Sequence, residues 1–130
     1  MAMENGDPGG MLAAIESFPR HCQDALRLGR EHLDIPEAEG LKRITYVGMG
    51  GSAIGGDILK SLLEDALAMP VDVYRSYRLP SMLGSDTLAV FTSYSGNTEE
   101  TLAAYDDAWK RGATLWVVTT GGHLAQRAVD

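Results

Sequence analysis

A single cysteine, Cys22, is the only thiol in this 130-residue sequence, which excludes an internal disulfide. The three histidines, at 21, 32 and 123, fall at no zinc-ligand spacing, so no metal site is expected. Basic side chains are scarce: 11 Lys and Arg stand against 18 Asp and Glu, for a formal net charge of -7. Binding a polyanion usually needs a basic face, so nucleic acid and anionic membrane are not expected partners, and an anionic ligand would have to be held by backbone dipoles. No run approaches the roughly 18 consecutive apolar residues of a membrane span, and the first residues have neither the basic nor the apolar region of a leader. Residues 1–10 are expected to form a disordered tail, 11–130 a single domain, and the cytoplasm to be the compartment.

What is present is an ordinary globular composition, 45% hydrophobic and 22% charged. Met11, Leu12, Ile15 and Phe18, then Cys22, Leu26 and Leu33, recur at helical spacing, with Pro19 expected to break the run and Ser17 to cap the second segment. Pro36 to Gly40 reads as a loop. The period then changes: Ile44–Val47 is a short β-branched and aromatic strand running into Gly48-Met49-Gly50-Gly51-Ser52. A helix is expected over Ala53–Ala68, with Ile54, Ile58, Leu62 and Leu63 on one face, and a second strand over Val71–Tyr74. Thr87–Thr92 reads as a third strand, Glu99–Lys110 as a helix, Ala113–Thr119 as a fourth strand, and Gly121-Gly122 as the start of a last short helix. Alternating strands and helices imply βαβ units, a parallel sheet and the α/β class, with ligands placed off the carboxyl ends of the strands.

Two loops at those ends can carry chemistry. Gly48–Ala53 lets the backbone turn tightly, and Ser52 stands at the mouth of a helix whose free N–H groups favour an anion. The same residues serve equally as a tight turn with Ser52 as N-cap, and they also satisfy the loose Gly-x-Gly-x-x-Ala dinucleotide pattern. That pattern wants an acid near the end of the second strand, where Arg75 stands instead, an arginine that could meet a 2′-phosphate. The second loop presents the hydroxyls of Ser93, Ser95 and Thr98 around Gly96, again leading into a helix, and a dinucleotide does not require it. Here Asn97 is expected to cap the helix and Glu100 to complete a capping-box pair, with Glu99 and Glu100 complementing the helix dipole. Tyr94 either shapes the pocket or packs against a neighbour, and His123 is read as a solvated terminal histidine.

Gly48-Met49-Gly50-Gly51-Ser52-Ala53-Ile54-Gly55-Gly56-Asp57 and Ser93-Tyr94-Ser95-Gly96-Asn97-Thr98-Glu99-Glu100-Thr101-Leu102 resemble, in order, two loops of the sugar isomerase (SIS) domain family. Within it they look most like the N-terminal SIS domain of bifunctional phosphoglucose/phosphomannose isomerases. Met11–Leu28, Tyr74–Pro80 and Thr119-Thr120-Gly121-Gly122 are similar to further segments of that group. The resemblance implies a flavodoxin-like sheet in the order 2-1-3-4 with helices on both faces. It also implies an aldose-ketose isomerase acting on glucose 6-phosphate, mannose 6-phosphate and fructose 6-phosphate without metal or nucleotide, and a homodimer. Gly51 and Ser52 would contact the sugar, while Ser93, Ser95 and Thr98 would grip the phosphate.

The resemblance further implies a catalytic glutamate, histidine and lysine, none of which has a match here, and a fifth strand beyond Asp130. The expectation is therefore an incomplete SIS domain, inactive alone. A stand-alone SIS sensor of sugar phosphate and an NADP-binding fragment resting on Gly48, Gly50, Ala53 and Arg75 are the alternatives. In the implied strand order, Leu115-Trp116-Val117-Val118 forms an uncovered apolar edge, and such edges seek partners. Light scattering on the 130-residue chain should show self-association, and a strictly monodisperse monomer would count against the open edge.

Overall fold

A computed structural model describes residues 7–31 and 39–129. The expectations for Met1–Gly6, His32, Leu33, most of the loop from Pro36 and Asp130 lie outside the described residues. The chain divides into two compact units, Met1–Ile35 and Pro36–Asp130.

Among the described residues the first unit is one helix, α1 (Met11–Glu31), and Pro19 lies inside it rather than ending it. An interior proline removes one hydrogen bond and costs about 3 kcal/mol, against which the helix has a firm start. That start comes from Asp7, whose two carboxylate oxygens accept the N–H groups of Met11 and Leu12 at 2.8 Å each. Ser17 does not cap a second segment; its hydroxyl turns back to donate to the Ala14 carbonyl at 2.9 Å. The ion pair Arg27–Glu31 at 2.7 Å adds an i, i+4 contact in the last turn.

The second unit alternates strand and helix: β1 (Arg43–Val47), α2 (Gly50–Leu63), β2 (Val71–Tyr74), β3 (Thr87–Ser93), α3 (Glu99–Lys110), β4 (Thr114–Thr119) and α4 (Gly122–Val129). The four strands are all parallel, as the alternation of strands and helices predicts, and lie in the order β2-β1-β3-β4 that the family resemblance implies. Right-handed crossovers that leave β1 and β3 in opposite directions place α2 and α3 on opposite faces of the sheet. On the α3 face, Val47, Ala89 and Phe91 pack with Ala104, Tyr105, Ala108 and Leu124, and Phe91 meets Tyr105 edge-on with ring centroids 5.3 Å apart. Leu79 and Leu83, in the segment between β2 and β3, are also buried in this core. Arg111 holds that segment by donating to the carbonyls of Pro80 (2.7 Å) and Leu79 (3.4 Å) while paired with Asp107 at 2.8 Å. Among the described residues no helix is long and apolar enough to cross a membrane.

On the opposite face α2 departs from expectation. It begins at Gly50 rather than Ala53, ends at Leu63 rather than Ala68, and buries Ala53 and Gly56. The stripe Ile54, Ile58 and Leu62 is exposed, at 55%, 55% and 72%. The cause is Tyr46: its ring lies against the helix where a Cβ on Gly56 would fall 2.4 Å from Cδ1 and one on Gly55 would fall 2.9 Å from the hydroxyl. Small residues let the helix come down over the ring, and the large apolar ones turn outward. Gly56→Ala gains at most about 1 kcal/mol of helix propensity but forces a collision with a ring, which costs about 1 to 3 kcal/mol. Its thermal midpoint should fall below that of the unaltered chain; a rise would show that Tyr46 can move aside.

Candidate functional site

The glycine loop after β1 closes onto β3 through one threonine. Thr92 is buried, and its hydroxyl is shared between the carbonyls of Val47 (3.3 Å) and Ser52 (3.1 Å). A Cβ on Gly48 would lie 2.8 Å from that same oxygen and 3.2 Å from the Ala53 nitrogen, so only glycine permits this closure. Ser52 is not at the helix mouth. Gly50, at φ +50°, lets the chain enter the helix within the glycine run, Met49 is the N-cap without a side-chain bond, and the Ser52 N–H already donates to Met49 at 3.0 Å. The donors left at this helix end therefore belong to the glycines rather than to Ser52.

The second loop is a self-bonded turn. The Ser93 hydroxyl, nearly buried, lies 3.0 Å from the Thr98 hydroxyl and accepts the Gly96 N–H at 3.1 Å. The exposed Ser95 hydroxyl accepts the Asn97 N–H at 3.2 Å. Gly96, at φ +66°, passes so close to the loop before α4 that a Cβ there would sit 1.8 Å from the Gly121 carbonyl. Backbone bonds join the two loops, Leu124 N–H to Gly96 at 2.9 Å and Thr120 N–H to Tyr94 at 3.3 Å. Asn97 does not cap α3, whose N-cap is Thr98 without a side-chain bond. Its amide oxygen instead accepts the His123 N–H at 3.0 Å and so caps α4, whose first donors face it. Glu100 likewise completes no capping box; it faces Tyr77, whose phenol pKa it pushes up, with smaller contributions from partial burial and Glu99.

A cleft of about 380 Å³ opens on the α2 face at the carboxyl ends of β1, β3 and β4. It is lined by Tyr46, Gly51, Ser52, Gly55, Thr92, Ser93, Tyr94, Val118, Thr119 and Thr120. Of the five residues singled out in the sequence, Gly51, Ser52 and Ser93 meet here, while Thr98 lies behind Ser93 and Ser95 faces solvent beyond the rim. The sequence reading missed Tyr46, Gly55 and Thr92. Strand alternation could have found the first and third, since both stand on the α2 side of their strands near the strand ends. Tyr94 is 81% exposed and borders the cleft.

The cleft lining contains hydroxyls, backbone and two phenols but no Asp, Glu, His, Lys or Arg. No cluster of potential metal ligands occurs among the described residues. Arg75, which a 2′-phosphate would need, pairs with Asp57 of α2. Two other concavities, of about 310 and 360 Å³, lie around Tyr105, Trp109 and Arg127 and reach neither loop. What the cleft offers is an uncharged, largely apolar surface edged by hydroxyls and backbone, poor in groups that move protons.

Residues 40–129 match the family model described as SIS domain. The chain is 42% identical over 118 residues to a bifunctional phosphoglucose/phosphomannose isomerase of Caldicellulosiruptor bescii, covering 91% of this chain and 35% of that protein. A protein of the same name from Thermoplasma acidophilum is 42% identical over 87 residues, covering 67% of this chain and 27% of that one. The chain thus spans about a third or less of the length of these curated relatives. Among solved structures, the C-terminal domain of glucosamine-fructose-6-phosphate aminotransferase from Francisella tularensis superposes with a TM-score of 0.75 over 97% of this chain and 39% of that one. At 19% identity that likeness shows the shared fold alone.

Thr92→Val keeps the shape of the side chain and removes the hydroxyl that ties the two loops. It should lower stability by about 1 to 3 kcal/mol and speed hydrogen exchange at the Gly51 and Ser52 amides, while Thr92→Ser should restore both. Unchanged exchange in the valine variant would show that the clamp does not hold the loop.

Proposed function

Because the chain belongs to the SIS domain family, we propose that it binds a hexose 6-phosphate in the cleft at the ends of β1, β3 and β4. The activity it serves is interconversion of glucose 6-phosphate or mannose 6-phosphate with fructose 6-phosphate. The observation that carries this reading is the juxtaposition of two glycine- and hydroxyl-rich loops at helix ends around one neutral cleft, in a chain whose relatives are phosphoglucose/phosphomannose isomerases. In a protein of net charge -7, a phosphate dianion is held by N–H dipoles and hydroxyls rather than by cations. The assignment gives the phosphate to Ser93, Ser95 and Thr98, at the start of α3, and the sugar to Gly51 and Ser52.

Isomerisation of an aldose to a ketose moves a proton between adjacent carbons, which needs an acid and a base. The cleft lining holds no carboxylate, imidazole or ammonium, so this reading assigns the proton transfer to groups elsewhere in the working assembly, a homodimer in the cytoplasm. The same bare lining favours a second reading, a SIS module that senses sugar phosphate without transforming it. Steady turnover of fructose 6-phosphate by the isolated chain in a coupled dehydrogenase assay would contradict both.

An amide NMR titration with fructose 6-phosphate tests binding directly. Saturable shifts at Gly51, Ser52, Ser93, Ser95 and Thr98 are the expected result, with an affinity of roughly millimolar strength, about 4 kcal/mol. A dispersed spectrum that ignores the ligand would reduce the two loops to turns and caps.

A further inference from the structure

We infer that the hydroxyl of Tyr46 is a specificity-determining contact of this cleft, bonding the sugar end of the ligand rather than its phosphate. The inference rests on the sugar-phosphate reading above. Its basis is an unusual expense in α2: two consecutive interior glycines, Gly55 and Gly56, each less favourable in a helix than alanine by about 1 kcal/mol. Together they cut a notch that admits the Tyr46 ring, since a Cβ at Gly56 would stand 2.4 Å from Cδ1 and one at Gly55 would stand 2.9 Å from the hydroxyl oxygen.

Packing accounts for the ring but not for the oxygen. A phenylalanine would fill the same notch, yet the residue carries a hydroxyl, lines the cleft, and is only half-buried. Among the described residues that hydroxyl has no hydrogen-bond partner, whereas Thr92, Ser93, Ser95 and Thr98 are all bonded within the protein. A phenol oxygen at the edge of an aromatic ring both donates and accepts, which suits a sugar hydroxyl.

Register places the contact. Tyr46 lies beside Val90 of β3, and Ser93 stands three positions further along that strand, about 10 Å away along its axis. A phosphate seated at Ser93 and Thr98 therefore leaves the carbon chain, not the phosphoryl oxygens, to reach Tyr46.

Tyr46→Phe deletes one atom and keeps the notch filled, so amide NMR titrations of the 130-residue chain and this variant can be compared directly. Fructose 6-phosphate should bind the variant about three- to tenfold more weakly, the loss of one neutral hydrogen bond, while inorganic phosphate shifts Ser93, Ser95 and Thr98 equally in both. Equal fructose 6-phosphate affinity within about twofold overturns the inference and leaves the proposed function standing. Equal weakening toward both ligands also overturns it, because the hydroxyl would then support the loops instead of the sugar. Absence of saturable binding by the unaltered chain defeats the proposed function itself, and this contact with it.

Discussion

Thr92 stands where three things must coincide: the end of β1, the start of α2 and the end of β3. Its hydroxyl takes the carbonyls of Val47 and Ser52, and the missing side chain of Gly48 makes room for it. With any larger residue at position 48 the glycine loop would stand off from β3. The cleft would then lose its α2 wall, since Gly51 and Ser52 reach it only because the loop is drawn in. The sheet order places the loops side by side, and this contact closes them.

Charge explains the chemistry of the lining. A chain with more acids than bases cannot surround an anion with arginines without drawing those arginines into pairs, as Arg75 pairs with Asp57, Arg111 with Asp107 and Arg127 with Asp106. Arg75, Arg111 and Arg127 fasten elements to one another. For an anionic ligand such as the one proposed, the ends of helices would supply attraction without requiring a titratable group.

The strands and their parallel pairing were legible because β-branched runs such as Ile44–Val47 and Thr87–Thr92 end abruptly in glycine and serine and alternate with helices, while the strand order came from the resemblance to the SIS family. The α3 boundaries were legible for the same reason. Less local facts were hidden. Pro19 reads as a break because propensity is local, whereas the cap by Asp7 lies outside the window that proline governs. Ile54, Ile58 and Leu62 read as a single face, but which helix face meets a sheet depends on what rises from the sheet, and Tyr46 decides that. Asn97 reads as a cap for the helix that follows it and caps α4 instead, a partner brought close only by the parallel pairing of β3 and β4. Ser95 and Thr98 share a motif with Ser93, yet the tight turn brings the Ser93 and Thr98 hydroxyls together and leaves that of Ser95 facing solvent.

The interlock of Gly96 with Gly121 has a thermodynamic consequence. The two loops are already fastened to each other by main-chain bonds, and Gly122 passes so near the Ser95 carbonyl that a Cβ there would fall 2.4 Å from it. A sugar phosphate bound as proposed would find the donors there already oriented. Little conformational entropy would be left for it to quench, so the enthalpy of its hydrogen bonds would be retained as affinity instead of being consumed in ordering the protein.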